Sequence, residues 1–136
     1  MFTQSPEAAD LSEAWIEADD RARWRSGPGH SADVGAEASG SSILEVDPGC
    51  LLPRHTDSAE EVIVIVAGNA NVIVGDESAT AGQGAVALVP AGVPHEVRNA
   101  GDSLLRFWAI YAASDVTTTY SEPVQPGGER ERSPLG

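Results

Sequence analysis

Two imidazoles and two carboxylates stand at spacings that could bring them to one point. His55, Asp57 and Glu61 fall within one short stretch, and His95 follows about 40 positions later. This is a nitrogen-and-oxygen donor set without sulfur, of the kind that holds a divalent transition ion. Residues i and i+2 of a strand point to the same face. His55, Asp57 and Glu61 share parity, so an extended segment with a modest bend aims all three inward. Glu60 has the opposite parity and is expected in solvent. If the short Asp57 side chain reaches the ion, the set holds two carboxylates and two neutral imidazoles. That favours Fe(II), Mn(II) or Zn(II) over copper, with Ni(II) also admissible. If it does not, His55, Glu61 and His95 remain as a facial triad suited to non-haem Fe(II) and oxygen activation. Asp57 would then orient a ligand or act as a general base through a bound water.

The donors sit in two ordered segments. The first runs Gly49, His55, Asp57, Glu61, Gly68, and the second Gly84, Pro90, Gly92, His95, Asn99. These spacings resemble the two signature motifs of the cupin superfamily. The first motif has His-x-His where this chain has His55-Thr-Asp57, so Asp57 stands in place of the second histidine; the second motif has no departure. The match covers roughly residues 49–99. The resemblance implies a small all-β jelly-roll barrel, a double-stranded β-helix, with a metal in its mouth held by His55, Asp57, Glu61 and His95. It does not name a reaction, since one fold hosts many chemistries.

The intervening sequence fits such a scaffold. Val62-Ile-Val-Ile-Val66 is β-branched and apolar on both parities, which favours a strand. Ile63 and Ile65 are expected inside beside Glu61, with Val62, Val64 and Val66 outside and in need of cover. Gly68-Asn69 reads as a tight hairpin turn, with Asn71 to Val74 returning as the partner strand. Ala85 to Val89 reads as a further strand, Pro90 to Pro94 as a rigid bend delivering His95, and Leu104 to Tyr111 as the closing strand. By the resemblance, Phe107 and Tyr111 face inward. Tyr111 becomes a candidate catalytic residue beside Asp57, in a pocket expected to be small and mostly apolar: Leu51, Ile63, Ile65, Val97, Phe107. Arg54 and Arg98 have the wrong parity for the interior, Cys50 reads as a small packed side chain, and His30 lies in a loop away from the metal.

The ends are less regular. Residues 1–35 read as an N-terminal arm, 36–115 as the barrel and 116–136 as a mobile C-terminal tail. Ser12 to Arg25 reads as one or two helical turns from a serine cap. A chain of 136 residues suffices for one core. It has no apolar run long enough to span a bilayer and no signal-like N-terminus. The single cysteine, Cys50, suits a reducing compartment, so a cytoplasmic location is expected. The net charge of -13 argues against nucleic acid and anionic membrane surfaces as partners.

The function expected is that of a metal-dependent enzyme acting on a small organic molecule, first of all an Fe(II) dioxygenase-type oxidoreductase. A Lewis-acid isomerase, cyclase or lyase is the second choice, with Asp57 or Tyr111 moving the proton. A non-catalytic binding barrel is the third. The outward valines, with Trp108 and Ile110, form an apolar face larger than a monomer usually exposes. A homodimer is therefore expected, and the resemblance implies the same; the N-terminal segment with Trp15 and Trp24 is a second source of cover.

Overall fold

Alternating burial draws just over half of the chain into strands. The computed structural model describes residues 1–136. Twelve strands follow in order: β1 (Ser12–Ile16), β2 (Asp19–Pro28), β3 (Gly40–Val46), β4 (Leu51–Asp57), β5 (Glu61–Ala67), β6 (Ala70–Val74), β7 (Glu77–Ala81), β8 (Val86–Val89), β9 (His95–Asn99), β10 (Leu105–Tyr111), β11 (Thr118–Val124) and β12 (Glu129–Arg132). The only helices are two 3₁₀ turns, Pro6–Ala8 and Ala32–Val34. No helix is long and apolar enough to cross a membrane.

The main path of hydrogen-bonded neighbours is β7-β6-β9-β4-β2-β3-β10-β5-β8. One wall carries β2, β3, β10, β5 and β8, with β1 on β2. The other carries β7, β6, β9 and β4, and β11 and β12 continue it beyond β4. A parallel pairing of Ala22 with Leu51 joins the walls. The result is the expected jelly-roll, a nearly closed barrel. Ile63, Ile65, Val97, Leu105 and Phe107 fill the interior, each at most 2% exposed. Truncating Phe107 to alanine there would cost about 3–5 kcal/mol.

Three expectations are corrected. Ser12 to Arg25 is strand, not helix: burial alternates at Ala14 and Ile16, then at Ala22 and Trp24, the period of a pleat. The Gly68-Asn69 turn does not make a hairpin. β5 pairs with β10 and β8, while β6 pairs with β7 and β9 in the opposite wall, so the chain crosses the barrel there. Gly68 has φ +84°, and a Cβ would lie 2.6 Å from the Leu104 carbonyl oxygen. The glycine serves a sheet-to-sheet crossing with close backbone approach. Finally, residues 118–132, expected within a mobile tail, form the β11–β12 pair docked on β4. Val116, Val124 and Leu135 are buried there, which supplies the apolar anchorage that a mobile tail lacks.

The outer face of the first wall is apolar as expected. Ile110 pairs across Val62 to Leu88, and Trp108 across Val64 to Val86. Val86 is 66% and Leu88 60% exposed. Trp15 and Trp24 do not cover this face. Trp24 is buried inside the barrel, and Trp15 lies beneath the Arg23 guanidinium.

Candidate metal centre

β4 and β9 pair in a register that sets His55 opposite His95, with ring centroids 4.1 Å apart. Asp57 follows two residues along β4, on the same face. The chain then turns through Ser58 to Glu60 and crosses to the other wall, where Glu61 is the first residue of β5. The four side chains therefore meet where the two walls join. All four residues are buried. One donor atom from each lies within 4.8 Å of the others, so together they could hold a divalent ion.

The distances suit that role. His95 Nε2 lies 3.0 Å from Glu61 Oε1 and 3.1 Å from Asp57 Oδ2, and His55 Nε2 lies 3.7 Å from Asp57 Oδ2. Donors at right angles around an ion, with bonds of about 2.1 Å, stand about 3 Å apart. Both Nδ1 atoms are committed elsewhere: His55 Nδ1 is 2.7 Å from the Pro53 carbonyl and His95 Nδ1 is 2.9 Å from the Val93 carbonyl. Each Nδ1 must carry a hydrogen to donate to its carbonyl. In the neutral ring this leaves the Nε2 lone pair facing the cluster. Asp57 is also oriented. Thr118 Oγ1 donates to its Oδ1 at 2.5 Å. Its Oδ2 accepts no well-aligned hydrogen bond although it is buried; His95 Nε2 is close enough but off-axis. A buried carboxylate oxygen without a donor is costly unless a cation meets it. The donor set therefore fits an ion.

Without an ion, protons and mutual charge hold the cluster together. Burial opposes charging His95, but the Asp57 and Glu61 carboxylates outweigh it and raise its pKa to about 10. Burial, with the neighbouring His95 charge, drops His55 to about 4. Burial also raises Glu61 to about 7, with His95 opposing and the Asp57 charge assisting. Asp57 is held below its ordinary value: desolvation works against it, and His95, His55 and Thr118 more than compensate.

A cavity of about 200 Å³ opens beside the cluster, with His55 and Glu61 in its wall. Its lining differs from expectation. Leu51, Ile63, Ile65, Val97 and Phe107 pack in the core and do not line it; Leu52 and Leu44 do, among many polar groups. The strands taken as arm and tail complete the walls, and they are polar there. Tyr111 lines the cavity as expected, opposite Glu61 in the β10–β5 register. Burial, with the charges of Glu61 and Asp57, raises its hydroxyl well above the usual range, so Tyr111 keeps its proton.

Two neighbours escaped the sequence reading. Thr118 and Tyr120 pair with Asp57 and His55 through the β11–β4 register. The Tyr120 ring lies 5.1 Å from His55 and stacks on Trp24 at 5.5 Å. The Thr117-Thr-Thr-Tyr120 run was the available strand signal. Cys50 is half-buried against the core, and Glu60, Arg54 and Arg98 are exposed. His30 bonds to Ser39 and Ser41, outside the donor cluster.

The family model described as a cupin domain matches residues 42–111, just over half of the chain. No curated protein matches it. Among solved structures, an oxalate decarboxylase from Lactobacillus farciminis in a formate complex superposes with a TM-score of 0.68 at 23% identity, covering 80% of this chain and 33% of that one. The Bacillus subtilis oxalate decarboxylase at pH 4.6 gives 0.60 at 22% identity, covering 70% and 26%. A Streptococcus pyogenes protein of unknown function gives 0.56 at 17% identity, covering 69% and 77%. The chain spans no more than about a third of the decarboxylases' length. At these identities the likeness is one of fold.

Proposed function

The chain belongs to the cupin family, and from that premise we propose that it is a metal-dependent enzyme of the Fe(II) dioxygenase type acting on a small organic molecule. One observation carries this reading. Four buried donors converge while both Nδ1 atoms are tied to backbone carbonyls, so both Nε2 atoms and an Asp57 oxygen with no well-aligned donor face one point, where His95 offers its lone pair once an ion displaces its proton. His55, Asp57, Glu61 and His95 would hold the ion. Bound there, it supplies Lewis acidity and, as iron, one-electron chemistry with dioxygen.

The chain's own residues then do the rest. Thr118 aims Asp57 and keeps it ionised. The Tyr111 and Tyr120 hydroxyls, both pushed upward chiefly by burial, keep their protons and act as hydrogen-bond donors toward oxygen atoms in the cavity. Leu44, Leu52 and Trp24 limit water there. The retained phenolic protons also favour a second reading, a Lewis-acid isomerase, cyclase or lyase with Tyr111 as proton donor. The apolar row Ile110, Val62 and Leu88, with Trp108, Val64 and Val86 beside it, supports a homodimer built on that face.

The test is anaerobic loading with Fe(II), Mn(II) or Zn(II), followed by oxygen-electrode assays over a panel of small organic acids, alcohols and phenols. The dioxygenase reading expects oxygen uptake that needs iron, an organic substrate and intact His95. Turnover with Mn(II) or Zn(II) and no oxygen uptake would replace it with the Lewis-acid reading.

A further inference from the structure

Six of the eight arginines have side-chain partners. Arg21, Arg23, Arg25, Arg98 and Arg106 pair with carboxylates, and Arg54 donates to the Gly75 carbonyl. Arg130 is exposed. Arg132 is different: it is half-buried, has no carboxylate or hydrogen-bond partner, and lines the cavity beside the metal cluster.

The register explains how it gets there. Thr118 pairs with Asp57 on one side and with Arg132 on the other. Paired residues of neighbouring strands share a face, so Asp57, Thr118 and Arg132 form one inward row. Two ladder steps put the Arg132 backbone about 10 Å from that of Asp57, a span that a long side chain largely covers. Its charge acts on the hydroxyl of Tyr120, whose ring stacks on Trp24 and lies tilted 5.1 Å from His55. The segment that follows is anchored by packing. Leu135, three residues on, is 5% exposed and fills the space over Gly40, where a Cβ would come within 2.7 Å of its Cδ1.

Charge balance says what such a residue is for. A divalent ion with Asp57 and Glu61 is neutral, and Arg132 brings to the cavity a positive side chain that no carboxylate side chain pairs with. The chain as a whole, at -13, repels anions at long range, so an anionic ligand needs a local counter-charge. A cavity of about 200 Å³ is smaller than a drug-sized site. We propose that the substrate is a small organic monocarboxylate, its carboxylate paired with the Arg132 guanidinium and its other end facing the His55, Asp57, Glu61 and His95 cluster. Guanidinium and carboxylate match in shape and can pair through two parallel hydrogen bonds. The inference rests on the metal-enzyme reading for that second end.

Lactate and lactamide are suitable probes, since they differ only in carboxylate against neutral amide. Binding to metal-loaded protein is measured by calorimetry for wild type, Arg132→Gln, Arg132→Lys and the exposed control Arg130→Gln, with metal content determined on every sample. Wild type should prefer lactate to lactamide. Arg132→Gln should weaken lactate at least ~10-fold, as expected for a lost charge-assisted pair, and leave lactamide within twofold. Arg132→Lys should recover part of the loss, and Arg130→Gln should match wild type. The proposal is overturned if wild type shows no preference for lactate, including binding neither probe. It is equally overturned if Arg132→Gln binds lactate as wild type does, or loses both probes alike. Metal absent from wild type would count against the metal reading instead, and the same lactate-to-lactamide contrast on metal-free protein would still decide the role of Arg132.

Discussion

Thr118→Val removes one hydroxyl and keeps the side-chain shape. Thr118 Oγ1 donates to Asp57 Oδ1 at 2.5 Å, with both residues 4% exposed, so bulk solvent has little access to replace the lost donor. Asp57 Oδ2 already lacks a well-aligned donor. A hydrogen bond to a charged acceptor contributes about 1.5–3 kcal/mol. For a domain of this size that corresponds to a fall in metal-free melting temperature of roughly 5–12 °C. The effect on metal is separate. A carboxylate released from Thr118 can rotate away from the ion, and losing such an outer partner typically costs about 10- to 100-fold in metal affinity. Thr118→Ser keeps the hydroxyl and should recover most of both losses. Circular-dichroism melts of metal-free protein and chelator-competition titrations with Zn(II) or Mn(II) read the two quantities. A valine variant with unchanged melting temperature and affinity within twofold of wild type would show that β11 does not aim Asp57.

Three further outcomes are expected. Asp57→His should restore the familiar His-x-His ligand pair and keep or tighten metal binding, whereas Asp57→Ala should bind more weakly; chelator competition on both decides, and complete loss of metal in Asp57→Ala would make Asp57 indispensable. The metal-dependent rise in melting temperature should grow between pH 7 and pH 9. His95, raised to about 10, stabilises the metal-free fold fully below its ordinary value near 6.5, and that contribution is lost as pH rises through 10. An ion must displace the same proton, so apparent affinity should gain about tenfold per pH unit in this window, and a pH-independent increment would contradict the assignment. Wild type should sediment as a dimer, more so with added salt because like-charged subunits repel. Leu88→Glu, which enters a two-fold interface twice, should shift it to monomer; monomeric wild type at micromolar concentration in both low and moderate salt would exclude the dimer.

The donor set was legible because His55, Asp57, Glu61 and His95 carry their signal in fixed spacing; strand parity aims His55 and Asp57 inward together, whereas Glu61 reaches the cluster from the other wall after the turn at Ser58 to Glu60 rather than along one bent strand. Asp57 at a histidine position left its reach undecided. Its aim depends on Thr118, 61 residues away, and no local pattern reports such a partner. The turn at Gly68 was readable as a turn, but turn chemistry does not say which wall the next strand joins. β2, β11 and β12 were missed for a related reason. Their polar residues line a cavity, so the hydrophobic alternation that marks an interior face is diluted at Ser26, Thr118 and Arg132. Tyr111 faces inward with Phe107, the side that the resemblance, not parity, implied. The polar lining of the cavity was not foreseeable from the barrel strands, because the flanking strands supply it.

The central claim is that one divalent ion sits among His55, Asp57, Glu61 and His95. Elemental analysis of protein incubated with Fe(II), Mn(II), Zn(II) or Ni(II) and then desalted tests it directly, with wild type beside the His55→Ala/His95→Ala double variant. The account predicts about one ion per chain in wild type and, with both imidazoles gone, a loss of affinity of at least ~10-fold that leaves the double variant essentially empty. Full occupancy in the double variant, or no retained ion in wild type with any of the four metals, would contradict it.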